Sequence, residues 1–204
     1  MCVAMLVTLL LGLSGISLLA WLLLSCCRGS FWRANERLPT YCKDLLDWPS
    51  VAVVIPARNE VSTIAEAIHS LVNQDYPGKF LLIVVDDCSD DGTLEVLQSI
   101  KPSRVPVEVV ECRNLPTGWT GKSWAISQGL IIAEDRMPEA EFFLFTDADI
   151  AHAADSLRRL VCKAEADKLA LTSLMVKLRV DTRWHAYWCP RSYFIFRNST
   201  HFVG

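Results

Sequence analysis

The chain has 204 residues, 51% of them hydrophobic and 21% charged, with a formal net charge of −3. That is too apolar for a disordered chain and long enough for one sizeable core with something extra. The slight negative surplus argues against a nucleic-acid binder, whose surface is ordinarily basic so that it can release phosphate counterions.

No charged residue occurs from Cys2 to Cys27, and Val3 to Leu24 is dominated by Leu, Val, Ile, Ala, Gly and Ser. A helix needs roughly 20 apolar residues to cross the hydrocarbon core, so residues 1–28 read as one transmembrane anchor. A cleaved signal peptide would want basic residues ahead of a shorter apolar core and a small-residue cleavage site, and none of these stands out. Arg28, Arg33 and Arg37 follow the span and no charge precedes it, which places the remainder in the cytoplasm. Eight cysteines, at positions 2, 26, 27, 42, 88, 112, 162 and 189, form neither a CxxC pair nor a metal-finger spacing. A reduced cytoplasmic domain is the expectation from that scatter. Cys26 and Cys27 read as small apolar residues ending the span rather than as sites of lipid attachment.

After a polar and aromatic linker over 29–50, strand and helix patterns alternate, as a parallel α/β sheet requires. The first strand is Val51–Ile55, continuous in Val and Ile as expected when both faces are covered, and Pro56 closes it. A helix is expected from about Val61 to Gln74, with Ile64, Ala67, Ile68, Leu71 and Val72 on one face. Tyr76-Pro77-Gly78 ends it. The second strand, Phe80–Val85, runs into Asp86-Asp87, and the polar cluster Ser89–Thr93 supplies caps for a short helix near Leu94–Ile100. Further on come a strand at Val105–Val110, a loop at Arg113–Gly121, a helix at Ser123–Glu134 and a strand at Phe142–Phe145. A helix at Asp155–Lys168 and a strand at Leu169–Leu178 complete the pattern.

Three of these strands end in polar clusters: Ala57-Arg58-Asn59-Glu60, Asp86-Asp87-Cys88-Ser89 and Asp147-Ala148-Asp149. Right-handed crossovers put the carboxyl ends of parallel strands on one edge, so the clusters are expected to converge on one cleft. Any one alone would be explained by helix capping or solvation. A fourth element, Thr117-Gly-Trp-Thr-Gly-Lys-Ser123, is no P-loop, because only Trp119 and Thr120 separate Gly118 from Gly121-Lys122. It reads instead as a glycine loop offering Lys122 to an anion, the plainer alternative being a helix start with a solvated lysine.

Taken together, Val53-Val-Ile-Pro-Ala-Arg-Asn-Glu60, Val84-Val-Asp-Asp-Cys-Ser-Asp-Asp-Gly-Thr93, Gly121-Lys122 and Thr146-Asp-Ala-Asp149 resemble the family 2 glycosyltransferases in type, spacing and order, over residues 51–180. Within that family, Gly118-Trp-Thr-Gly-Lys-Ser-Trp-Ala125, Asp147-Ala-Asp-Ile150 and Ser173-Leu-Met-Val176 look most like the hopene-associated glycosyltransferases, which are membrane-anchored bacterial proteins. The resemblance implies a GT-A type, Rossmann-like, mostly parallel sheet flanked by helices, and a nucleotide-diphosphate sugar as donor. By position, Pro56, Ala57, Asn59, Glu60, Asp86 and Asp87 would hold the nucleoside, and Lys122 would add positive charge at the diphosphate. Asp147 and Asp149 would hold Mg²⁺ or Mn²⁺, since hard cations take oxygen ligands and share them between carboxylates and substrate phosphates. An inverting transfer and a place at the bacterial inner membrane follow from the same resemblance, and a lipid acceptor is expected because the anchor keeps the site near the bilayer.

Such enzymes need a carboxylate base downstream of the Asp-x-Asp pair. Asp155, Glu165 and Asp167 fall in a helix pattern and Asp181 lacks the family's local context, so no catalytic base is nominated. Residues 181–204, with aromatics in no clean period, read as an atypical tail and as a sign of truncation. His69, His152, His185 and His201 show no ligand spacing, and Asn198-Ser-Thr200 matches a glycosylation acceptor that a cytoplasmic site would leave idle. The rival class is a nucleotide-sugar-binding fragment without activity. A nucleotidyltransferase is a weaker third, since it would show a glycine-rich basic loop where Pro56–Glu60 stands.

Overall fold

The computed structural model describes residues 2–27, 38–39, 45–100, 104–112, 115–175 and 192–197. Arg28, Arg33, Arg37, most of the linker over 29–50, His185, His201 and Asn198-Ser-Thr200 lie outside the described residues. The chain divides into two compact units, Met1–Leu38 and Pro39–Gly204.

The first unit holds helix α1, Cys2–Cys27, with no acidic residue in its first turn and no basic one in its last. Its segment Ala4–Cys26 is long and apolar enough to cross a membrane. The polar side chains bend back onto the helix itself: Thr8 Oγ1 donates to Ala4 O at 2.6 Å and Ser14 Oγ to Leu10 O at 2.9 Å. Back-bonding of this kind satisfies a helix hydroxyl without any partner outside the helix.

The second unit is an α/β domain in the order β1 Val51–Ala57, α2 Ile64–Val72, β2 Phe80–Asp86, α3 Thr93–Ser99, β3 Val107–Glu111, α4 Gly121–Arg136, β4 Phe142–Phe145, α5 Ser156–Ala166, β5 Leu171–Met175 and β6 Ser192–Arg197. The sheet runs β3-β2-β1-β4-β6-β5. The first four positions are parallel, whereas β6 is antiparallel to both of its neighbours. Parallel strands need both faces covered, and the alternating side chains show it. Val53, Ile55, Leu82, Val84 and Leu144 on one face and Ala52, Ile83 and Val85 on the other are all essentially inaccessible.

Helix α4 covers the second of these faces with small residues, Ala125, Gly129 and Ala133, packed with Leu81, Ile83, Val85 and Phe143. Gly129 is the point of closest approach, because a Cβ there would collide with Val54 Cγ1 and come within 3.1 Å of Val85 Cγ2. Gly129→Ala is therefore expected to destabilise the domain. Overpacking of about 1–3 kcal/mol outweighs the gain in helix propensity of about 1 kcal/mol, and a lowered urea midpoint at unchanged slope would register it.

Two features lie outside the sequence expectations. Ser192–Arg197, inside the stretch read as an atypical tail, forms strand β6 between β4 and β5. Cys162 on α5 is disulfide-bonded, which departs from an all-reduced set, while Cys26, Cys88 and Cys112 are free.

Candidate functional site

The strand register sets the shape of the site. β1 and β2 run together to Ala57↔Asp86, whereas β4 stops at Phe145 beside Val54. Thr146 donates its N–H to Val54 O at 3.3 Å, and the following Asp147-Ala148-Asp149 turns within the notch left beside the longer β1. Ile150 N–H returns to Asp147 O at 3.4 Å and closes that turn.

The loops after β1 and β2 are tied to each other. Asn59 sits at φ 55°, a conformation asparagine tolerates better than most residues. Its N–H donates to Ser89 Oγ at 3.0 Å, and its Oδ1 accepts the N–H of Asp90 at 3.0 Å. Glu60 N–H donates to Thr93 Oγ1 at 2.9 Å and Val61 N–H to Asp91 Oδ2 at 3.1 Å. Asp91 accepts in turn from Thr93 N–H and Oγ1, and the hydroxyl bond above all holds its carboxyl below the usual range. Asp86 accepts from the N–H and hydroxyl of Ser89 at 3.1 and 2.5 Å.

Asp87 is placed differently. Its N–H bonds Ala57 O at 2.8 Å, and its Oδ2 meets Arg58 Nη1 at 3.3 Å. The carboxylate also lies against the backbone of Gly121, so closely that a Cβ at residue 121 would overlap it. A glycine is thus required where α4 begins. Thr120 caps that helix, its Oγ1 accepting the Ser123 N–H at 3.4 Å, and Gly118 takes φ +91° in the turn before it. From the first turn Lys122 reaches across to Asp147, Nζ to Oδ1 at 2.5 Å.

These pieces enclose one cavity of about 300 Å³ lined by Pro56, Ala57, Arg58, Glu60, Asp87, Gly121, Lys122, Asp147, Ala148 and Asp149. Of the residues nominated from sequence, Pro56, Ala57, Glu60, Asp87, Lys122, Asp147 and Asp149 come together there. Asn59 and Asp86 are outside the lining, their polar groups engaged in the loop bonds just described. Arg58 and Gly121 line it without having been nominated, although both stand inside the motif stretches Val53–Glu60 and Gly121-Lys122. Among the described residues no group of three His, Cys, Asp or Glu side chains lies together as a metal cage. The donor set of Asp147 and Asp149 nonetheless suits a hard cation that takes its other ligands from water and phosphate.

Sequence reasoning also passed over His152. Its Nε2 lies 2.9 Å from Thr146 Oγ1, and its N–H donates to Ser70 Oγ at 2.9 Å. Half-buried among these groups, the imidazole is desolvated and its pKa is pushed down to about 4, so it is neutral near pH 7.

Comparison with known proteins sets this geometry in context. The family model described as glycosyl transferase family 2 matches residues 52–202. A beta-monoglucosyldiacylglycerol synthase of Trichormus variabilis is 27% identical over 141 residues, 69% of this chain and 28% of that protein. The poly(ribitol-phosphate) beta-N-acetylglucosaminyltransferase TarS of Staphylococcus aureus is 31% identical over 99 residues, 48% of this chain and 16% of that protein. Among solved structures, the mannosyltransferase PcManGT from Pyrobaculum calidifontis, in complex with GDP-Man and Mn²⁺, aligns with a TM-score of 0.51 at 27% identity, over 69% of this chain and 40% of that one. The chain thus spans well under half of the length of each of these relatives.

Proposed function

We propose, from the premise that this chain belongs to glycosyl transferase family 2, that it transfers a sugar from a nucleotide-diphosphate donor to a membrane-borne lipid acceptor, with Mg²⁺ or Mn²⁺ held by Asp147 and Asp149. The observation that carries this reading is the single cavity into which three strand ends and the start of α4 deliver Arg58, Asp87, Lys122, Asp147 and Asp149.

Each group has a task that its chemistry suits. Asp87, braced by Arg58, presents a carboxylate that can accept hydrogen bonds from a nucleoside, and the Pro56–Ala57 backbone forms the wall beside it. Lys122 and the N-terminal end of α4 provide positive potential for the diphosphate. Bound between Asp147 and Asp149, the cation would supply neutralisation of charge on the departing nucleoside diphosphate. Lys122 then gives up Asp147 in favour of phosphate oxygens. Lys122→Met is expected to weaken UDP or GDP binding by about tenfold, the worth of one charge-assisted hydrogen bond. Calorimetry would show that loss with no fall in Mn²⁺ affinity, because Asp147 is relieved of a competing cation.

The anchor reading is supported by the apolar helix α1, and the lipid acceptor by the diacylglycerol-linked product in the name of the Trichormus relative. The arginines at 28, 33 and 37 support a cytoplasmic domain. Transfer of radiolabelled sugar from UDP- or GDP-sugars to membrane lipids tests the activity. A nucleotide-sugar binder without catalysis would retain donor affinity and yield no labelled lipid.

A further inference from the structure

We infer that His152 is a positioning residue for the Asp147–Asp149 turn, an inference that rests on the reading of that turn as the cation site. The turn is closed on itself by a side-chain bond. Thr146, buried at the end of β4, immediately precedes Asp147, and its Oγ1 meets His152 Nε2 at 2.9 Å three residues beyond Asp149. One bond thereby spans both carboxylates.

The far end of this brace is itself fixed. The N–H of His152 donates to Ser70 Oγ at 2.9 Å, and that hydroxyl donates onward to Ala67 O at 2.7 Å within α2. Gln74 continues the clamp: its Nε2 donates to Ala153 O at 2.8 Å while its Oε1 accepts from Leu157 N–H at 3.0 Å. Asp75 N–H adds a bond to Ala154 O at 2.7 Å. Residues 152–157 are therefore bolted to the end of α2, and the imidazole passes that rigidity back to the acidic turn. A site of two carboxylates has few ligands with which to define its own geometry, so the groups that orient them matter more.

The test uses the full chain in detergent, with Mn²⁺ uptake in the presence of UDP or GDP followed by electron paramagnetic resonance. His152→Leu is expected to weaken Mn²⁺ binding about tenfold, within the range for loss of a group that orients metal ligands. His152→Gln, whose amide can reach the position of Nε2, should recover most of that loss. Thr146→Val removes the same bond from its other end, leaves the clamp to α2 untouched, and should match His152→Leu without adding to it in the double variant. Binding of the nucleotide without metal should not change, since Arg58 and Asp87 are held by other contacts. Mn²⁺ affinity within twofold of wild type in both single variants, or a glutamine variant no better than leucine, would overturn the inference and leave the cation site standing. Failure of the unaltered protein to take up Mn²⁺ with either nucleotide would overturn both.

Discussion

Asp149→Ala is expected to lower metal-dependent sugar transfer by a factor of about 10² to 10³. Charge stabilisation by a bound divalent cation is worth several kcal/mol, and each 1.4 kcal/mol, roughly, is tenfold in rate. With a donor set of only two carboxylates, loss of one leaves a single protein ligand, and water and phosphate cannot by themselves fix the cation in the cleft. Asp149 gives a cleaner experiment than Asp147, because Asp147→Ala would also release Lys122 and change the charge balance at the phosphate position. Calorimetry with UDP or GDP separates the roles. Affinity measured in Mn²⁺ should collapse, while the weaker affinity measured in a chelator should stay within a few fold, since Asp87 and Arg58 lie on other strands' loops. An Asp149→Ala protein that binds donor and cation as the wild type does would remove the metal from the proposed function.

The parts of the fold that position this cleft were legible because burial is total there. Val51–Ile55, Phe80–Val85 and Phe142–Phe145 are apolar on both faces, and only a sheet covered by helices on both sides explains such runs. Their parallel order then put the three polar strand ends on one edge. Helix α4 was read from Ser123 but begins at Gly121. Its Gly-Lys start looks like loop, and its inward face carries alanine and glycine where a large apolar stripe would have announced the helix. Strand β6 was illegible for a different reason. Ser192–Arg197 lies beyond β5 in sequence but between β4 and β5 in space, and no local periodicity encodes an insertion whose only rationale is its two antiparallel partners.

The site shows the same division. That acids would gather at the strand ends could be read, but which of two adjacent acids faces the cleft could not. Asp86 and Asp87 differ by one position in a strand of period two, and the loop's own demand for an acceptor at Ser89 takes Asp86. Asn59 is likewise taken by Asp90, and its value lies in tolerating φ 55°. His152 left no trace in spacing because its partners, Thr146 and Ser70, are brought to it only by the packing of α2 beside the acidic turn.

That same histidine is expected to make the domain acid-sensitive. Its pKa in the folded protein is depressed to about 4 by desolvation, from 6.5 when free in solution. The folded state therefore binds the proton less readily than the unfolded one. About one pH unit above 6.5 and higher, the group is neutral in both states and leaves stability independent of pH. As pH falls from there toward 4, the unfolded chain is stabilised by protonation, and folding stability declines. Between pH 7 and pH 5 the loss should reach about 1 kcal/mol, less than a fully buried imidazole would give, because solvent reaches part of the ring. Carboxylates titrating in the same window also lower stability on acidification, so the informative quantity is a difference. Urea midpoints taken at intervals across that range should fall more steeply for the wild type than for His152→Gln, which carries no titratable ring. Parallel pH profiles for the two proteins would mean that the imidazole is as well solvated as in the unfolded chain, and the Thr146–His152 contact would then be too wet to hold the acidic turn.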